Sequence, residues 1–267
     1  MKKMKNLGFL LAFALIAFAS CEKDDNGGSN SGGNVSTITA TNVINGSTRV
    51  ITVKALAWWS NGEWDYGSDA IAQTPYKNNG FTLELPSTVS AKYLYFIDEE
   101  YDTEDVFISD KNAKGMILEW LEGYDKDEKE IGSFYLIEEN DNSAYYAYWV
   151  YADRDVTVKR EEKYEGYDEY DGSEWIGIEK IDLTLRKGWN AVYESFIDTK
   201  SYNNSTKREV YTYTESFTSQ KPSGVNYSWY FDSDYDYNSV QAASKSVENT
   251  KSVLSKLKEN KKNRARK

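Results

Sequence analysis

The chain has 267 residues with 43 acidic side chains against 32 basic ones, net charge −11, so it is expected to repel a phosphate backbone and to have no nucleic-acid partner. It contains no histidine, which removes His-based acid–base catalysis, Ser-His-Asp triads and His-bearing zinc sites. With one cysteine there is no intrachain disulfide, and stability must rest on a core rich in aromatics, among them 22 Tyr and 8 Trp, residue types that favour strands.

The chain opens with Lys2, Lys3 and Lys5, an apolar run from Leu7 to Phe18, and the small pair Ala19 and Ser20. This layout predicts a signal peptide over residues 1–20, too short to span a bilayer. The following residues, Phe18-Ala19-Ser20-Cys21, resemble a bacterial lipobox, with Phe18 where Leu is usual. The resemblance implies that Cys21 is diacylated, with chains such as palmitate, and becomes the N-terminus. Two chains are what lasting attachment requires, since each buried methylene contributes only ~0.8 kcal/mol. Next, Glu22-Lys23-Asp24-Asp25 resembles the export signal of Bacteroidetes surface lipoproteins. It implies an outer-membrane protein displayed on the cell surface, with Lys23, Asp24 and Asp25 as the signal. Residues 21–35, which include the Gly/Ser/Asn run Asn26 to Asn34, read as a flexible tether. Because residues 1–20 hold three Lys and no acid, the remainder carries 29 basic and 43 acidic groups, net −14.

Period-two alternation begins after Thr48, with Ile51, Val53, Ala55 and Ala57 in one phase, and closes on Trp58-Trp59. A short strand at Ala70 to Gln73, an Asn-Gly turn, and Phe81, Leu83 and Leu85 ahead of Pro86 follow, then a strand at Lys92 to Ile97. That order resembles the first half of small transthyretin-like sandwiches, which implies a β-sandwich domain over residues 36–112. Strands are then expected at Gly115 to Glu122, Ile131 to Ile137, Ala144 to Tyr151, Val156 to Arg160, Ile178 to Leu185, Trp189 to Phe196, Glu209 to Phe217 and Val225 to Phe231. Acidic turns such as Tyr124 to Glu130 separate them, giving a second β-rich domain over residues 113–239. The fold class is therefore all-β, with one or two antiparallel β-sandwich domains and a closed barrel as the alternative.

From residue 240 the character changes. Val240, Ala243, Val247, Thr250, Leu254 and Leu257 recur at helical spacing, and residues 241–267 carry net charge +7. Residues 240–267 are thus expected to form a basic amphipathic helical tail.

Three chemistries remain open without histidine. Carboxylate pairs could hydrolyse glycosidic bonds, and the acids beside aromatics, Glu63-Trp64, Glu119-Trp120 and Glu174-Trp175, suit a sugar site. Asp232, Asp234 and Asp236, with Asn238, resemble the opening of a calcium loop but lack the Gly and Glu that an EF-hand needs further on. A second acidic cluster, Asp168, Asp171 and Glu174, offers the same ligand type. Exposed aromatics could stack on a ligand, and here Trp58, Trp59 and Trp64 are the candidates. Neighbours in a strand face opposite ways, so Trp58 and Trp59 cannot both be buried. These features lead to the expectation of a non-catalytic binding lipoprotein for a glycan or a surface protein, with no required cofactor beyond a possible Ca2+. The alternatives are a structural or assembly subunit of a surface complex or adhesin, and a carboxylate-only glycan hydrolase.

Overall fold

The computed structural model describes residues 35–60, 66–97, 106–168 and 172–233. The expected signal peptide, Cys21, the Lys23 to Asp25 signal, Trp64, Asp234, Asp236 and the tail helix lie outside these residues, as does all but the last residue of the 21–35 tether.

The described residues are all-β, and one large, mostly antiparallel sheet holds most of the strands. A separate two-stranded sheet pairs β1 (Thr37–Ala40) with β4 (Phe81–Glu84). The large sheet begins with β3 (Tyr66–Pro75) and β2 (Thr52–Ser60), then continues through β8 (Leu121–Tyr124), β9 (Glu130–Asn140) and β10 (Ser143–Ala152). Beyond β10 come β13 (Gly188–Asn203), β14 (Arg208–Thr218), β12 (Glu174–Leu185), β11 (Val156–Tyr167) and β6 (Phe107–Ile108). Of these neighbours β12 and β14 run parallel. Strand β2 pairs with β8, so strands from before and after residue 112 share this sheet.

The ladder forks at β10. One edge of β10 pairs with β9 over 143–147 and with β7 (Lys114–Leu118) over 149–152, while β8 follows β9 instead. The short β5 (Tyr95–Phe96) adds to β7, and β15 (Ser228–Asp232) adds to β9. Glu119 and Trp120, between β7 and β8, therefore sit in the crotch of the fork.

Strand β10 is apolar in both phases because both its faces are covered. Trp149 and Tyr151 enter one core, and Val150 and Ala152 enter a second. The first core lies between the fork and the two-stranded sheet, with Phe134, Leu83, Ile38 and Val53 fully buried. Trp229 stacks on Trp149 at 5.8 Å between ring centroids and donates its indole N–H to the Thr39 carbonyl; Trp189 donates to that of Pro86. Those two indoles pin the small sheet to the large one, burying aromatic bodies while satisfying their polar atoms.

The second core forms where β10, β13, β12 and β11 curl round on themselves. Val150, Ala152, Val156, Val158, Ile181, Leu183, Leu185 and Val192 all belong to it. Strands β10 and β11 are far apart along the sheet order, yet Asp153, Arg154 and Asp155 join them directly, which brings their apolar phases face to face. The expected Lys187-Gly188 turn is present, with Gly188 at φ 102, a left-handed conformation that glycine adopts without steric cost. Fully buried Asn190 closes it, its amide donating to the Arg186 and Gly188 carbonyls and its oxygen accepting from the Arg186 N–H.

Candidate functional site

Strand β2 carries Val53, Ala55 and Ala57 in its buried phase, which sends Lys54, Leu56 and Trp58 to the opposite face. Trp58 is 49% exposed, whereas the ring of Trp59 packs against Gly67 and the first core. The two adjacent indoles thus point to opposite sides of the strand, and only Trp58 presents an open face.

Leu56 and Trp58 line a cavity of about 320 Å³ beneath the fork, a size at the low end of small-molecule sites. Its floor is the second core: Val150, Val158, Leu183, Leu185 and Val192. Its rim is aromatic, built from Trp58, Tyr95, Phe96 and Trp120, with Ile117 on one wall. Tyr95 donates a hydrogen bond to the Trp58 carbonyl, which ties β5 to β2 across the mouth. Two carboxylates, Glu119 and Glu122, also line it. Glu119 is exposed in the crotch of the fork; Glu122 is buried and accepts the Tyr124 hydroxyl at 2.6 Å.

Above the floor the same inward face turns polar. Strand register aligns Tyr146, Glu194, Phe217, Ile181 and Arg160 in one row across β10, β13, β14, β12 and β11. The next row is Ala144, Phe196, Glu215, Glu179 and Glu162. Glu194 and Glu215 are diagonal neighbours, about 7–8 Å apart at the backbone and closer at the side chains. Arg160 is 8% exposed; it gives one guanidinium nitrogen to Glu179 at 3.1 Å and pairs another with Glu162, while its Nε is buried without a partner among the described residues.

Crowded carboxylates in a half-buried strand cannot all stay charged. Burial, then Glu215 and Glu119, push Glu194 up to about 8. Burial also raises Asp198 on the same strand, and it raises Tyr146 together with Glu139 and Glu194. At neutral pH the face therefore holds a protonated Glu194 beside other carboxylates, at the edge of an apolar cavity.

Comparison of the chain with protein-family models, with curated proteins and with solved structures yields no match.

The candidates taken from the sequence fall in different places. Trp58 and the Glu119-Trp120 pair are together at the cavity, while Trp59 faces away from it. Glu174 is elsewhere, accepting from Asn203 and facing Arg208, and Asp168 lies near it in the turn that Ser173 closes. Asp232 ends β15, where it pairs with Ser133 of β9. Among the described residues no cluster of three or more acids is placed to hold a metal ion. Sequence reading passed over Arg160, Glu194 and Glu215. Each is a charge in the inward phase of its strand: Val156, Val158, Arg160 on β11, and Val192, Glu194, Phe196 on β13. Only the strand phase distinguishes them from the other charged residues.

Proposed function

We propose that this chain is a surface-anchored, non-catalytic binding lipoprotein, whose ligand enters the aromatic-rimmed cavity between β2, β5 and β7. The observation that carries the reading is the exposed Trp58, set with Tyr95, Phe96 and Trp120 around an apolar space that is open at the fork. Aromatic faces around a cavity offer large contact area at low conformational cost, a common basis for recognition. The anchor is read from Cys21 and its flanking residues, and display from Lys23 to Asp25. Residues 36–112 are taken as a transthyretin-like sandwich, and residues 240–267 as a basic amphipathic helix. Glycans and surface proteins are the ligand classes to test. In arrays of both, Trp58→Ala is expected to weaken capture about tenfold, the scale of one stacked aromatic. Unchanged capture by that variant contradicts the reading.

A second reading, a carboxylate-only glycan hydrolase, is favoured by Glu194, pushed up to about 8 beside Glu215, since one protonated and one charged carboxyl flank the bond in that chemistry. A polysaccharide screen decides it: released reducing ends that vanish in Glu194→Gln support it, and their absence removes it.

A further inference from the structure

Resting on the binding reading above, we propose that the cavity takes a small organic ammonium: an apolar body seated on the valine and leucine floor, with its protonated amine among the aromatic rings and carboxylates of the mouth.

The floor fixes the body. Val150, Val158, Leu183, Leu185 and Val192 offer only hydrocarbon, so a sugar entering that far would exchange hydrogen bonds with water for none. Each such loss costs a few kcal/mol, whereas buried apolar area contributes about 25 cal/mol per Å². The volume, about 320 Å³, accommodates about ten heavy atoms at the ~30 Å³ that a water-sized group occupies.

The mouth fixes the head. Glu119 and Glu122 line the cavity, and Glu215 lies just beyond it on the inward face beside Glu194, which is neutral at pH 7. No Lys or Arg is among the described residues lining it. Lys114 Nζ lies 4.2 Å from the centroid of the Phe96 ring at the rim and so takes that face, while Lys54 Nζ is 2.5 Å from Glu128 and 4.0 Å from the Tyr124 ring centroid. Arg160 is held between Glu162 and Glu179. An anionic head would meet like charge at the mouth. An ammonium finds opposite charge together with the faces of Trp58, Tyr95 and Trp120, the combination that binds organic cations through ring quadrupoles.

The test is calorimetric titration of the full chain carrying Cys21→Ser, which removes the acyl anchor, with decylammonium, decanol and decanoate below their micellar concentrations, and with maltohexaose and chitohexaose. Decylammonium is expected to bind about tenfold tighter than decanol, with decanoate weakest. Glu119→Gln is expected to erase most of the ammonium-over-decanol preference by weakening decylammonium far more than decanol; Trp58→Ala weakens all three. Both residues are exposed, and an unchanged near-UV circular dichroism spectrum shows that the variants fold. Decanoate binding as tightly as decylammonium, or a preference that survives Glu119→Gln, overturns the inference. Oligosaccharide binding without amphiphile binding overturns it too, but leaves the binding reading standing. Silence from every probe, with the fold intact, overturns the inference and leaves the binding reading to the protein array.

Discussion

Replacing Glu194 by Gln should make the protein more stable, by an amount that grows with pH. Burial, Glu215 and Glu119 hold this carboxyl at about 8 rather than its ordinary 4.5. Tyr146 stands opposite it and Arg160 lies along the same row, already engaged by Glu162 and Glu179. Below 4.5 the group is protonated in the folded and unfolded chain alike and contributes no difference. As pH rises, the unfolded chain ionises first and the folded one resists, so stability falls until pH passes about 8. At ~1.4 kcal/mol per tenfold change in ionisation, the loss reaches about 3 kcal/mol at pH 7. Gln keeps the shape and cannot ionise. Urea unfolding followed by tryptophan fluorescence at several pH values reads the difference: near zero at pH 4.5, about 3 kcal/mol in favour of Gln at neutrality. A difference independent of pH, or a Gln variant less stable than wild type at pH 8, refutes the reasoning.

Phe134→Ala removes a fully buried ring that contacts Tyr76, Phe81 and Phe231, and should cost about 3–5 kcal/mol, visible as a lower calorimetric Tm. Asn190→Ala removes the buried side-chain amide that bonds the Arg186 backbone N–H and carbonyl and the Gly188 carbonyl; a loss of about 1–3 kcal/mol is expected in denaturant titrations, and a neutral effect contradicts the role given to this side chain. Cys21→Ala should move the protein from the membrane pellet to the soluble fraction after cell lysis, and continued pelleting contradicts the lipid anchor.

The all-β character was legible in the sequence because its strands alternate cleanly where one face is buried. Val53, Ala55 and Ala57 on β2, and Phe81 and Leu83 on β4, are examples. Strand phase likewise sends only one of the adjacent indoles, Trp58, outward. The fork at β10 was not legible. A strand that is apolar in both phases reports that both faces are covered, but not that it divides two cores. The parallel pairing of β12 with β14 was hidden as well, since local pattern carries no strand order. Glu119 was singled out beside Trp120, but Glu194, Glu215 and Arg160 were lost among other charges. Their meaning comes from register across five strands, which sets residues distant in sequence side by side.

The central claim, that the cavity beneath the fork is the ligand site, is tested most directly by amide chemical-shift mapping of the isotopically labelled full chain carrying Cys21→Ser during a decylammonium titration. Saturable shifts are expected at Leu56, Ile117, Val150, Leu183 and Val192, around the space they enclose. Saturable shifts gathered on the outward face of β11 and β12, with those five amides unmoved, would contradict it.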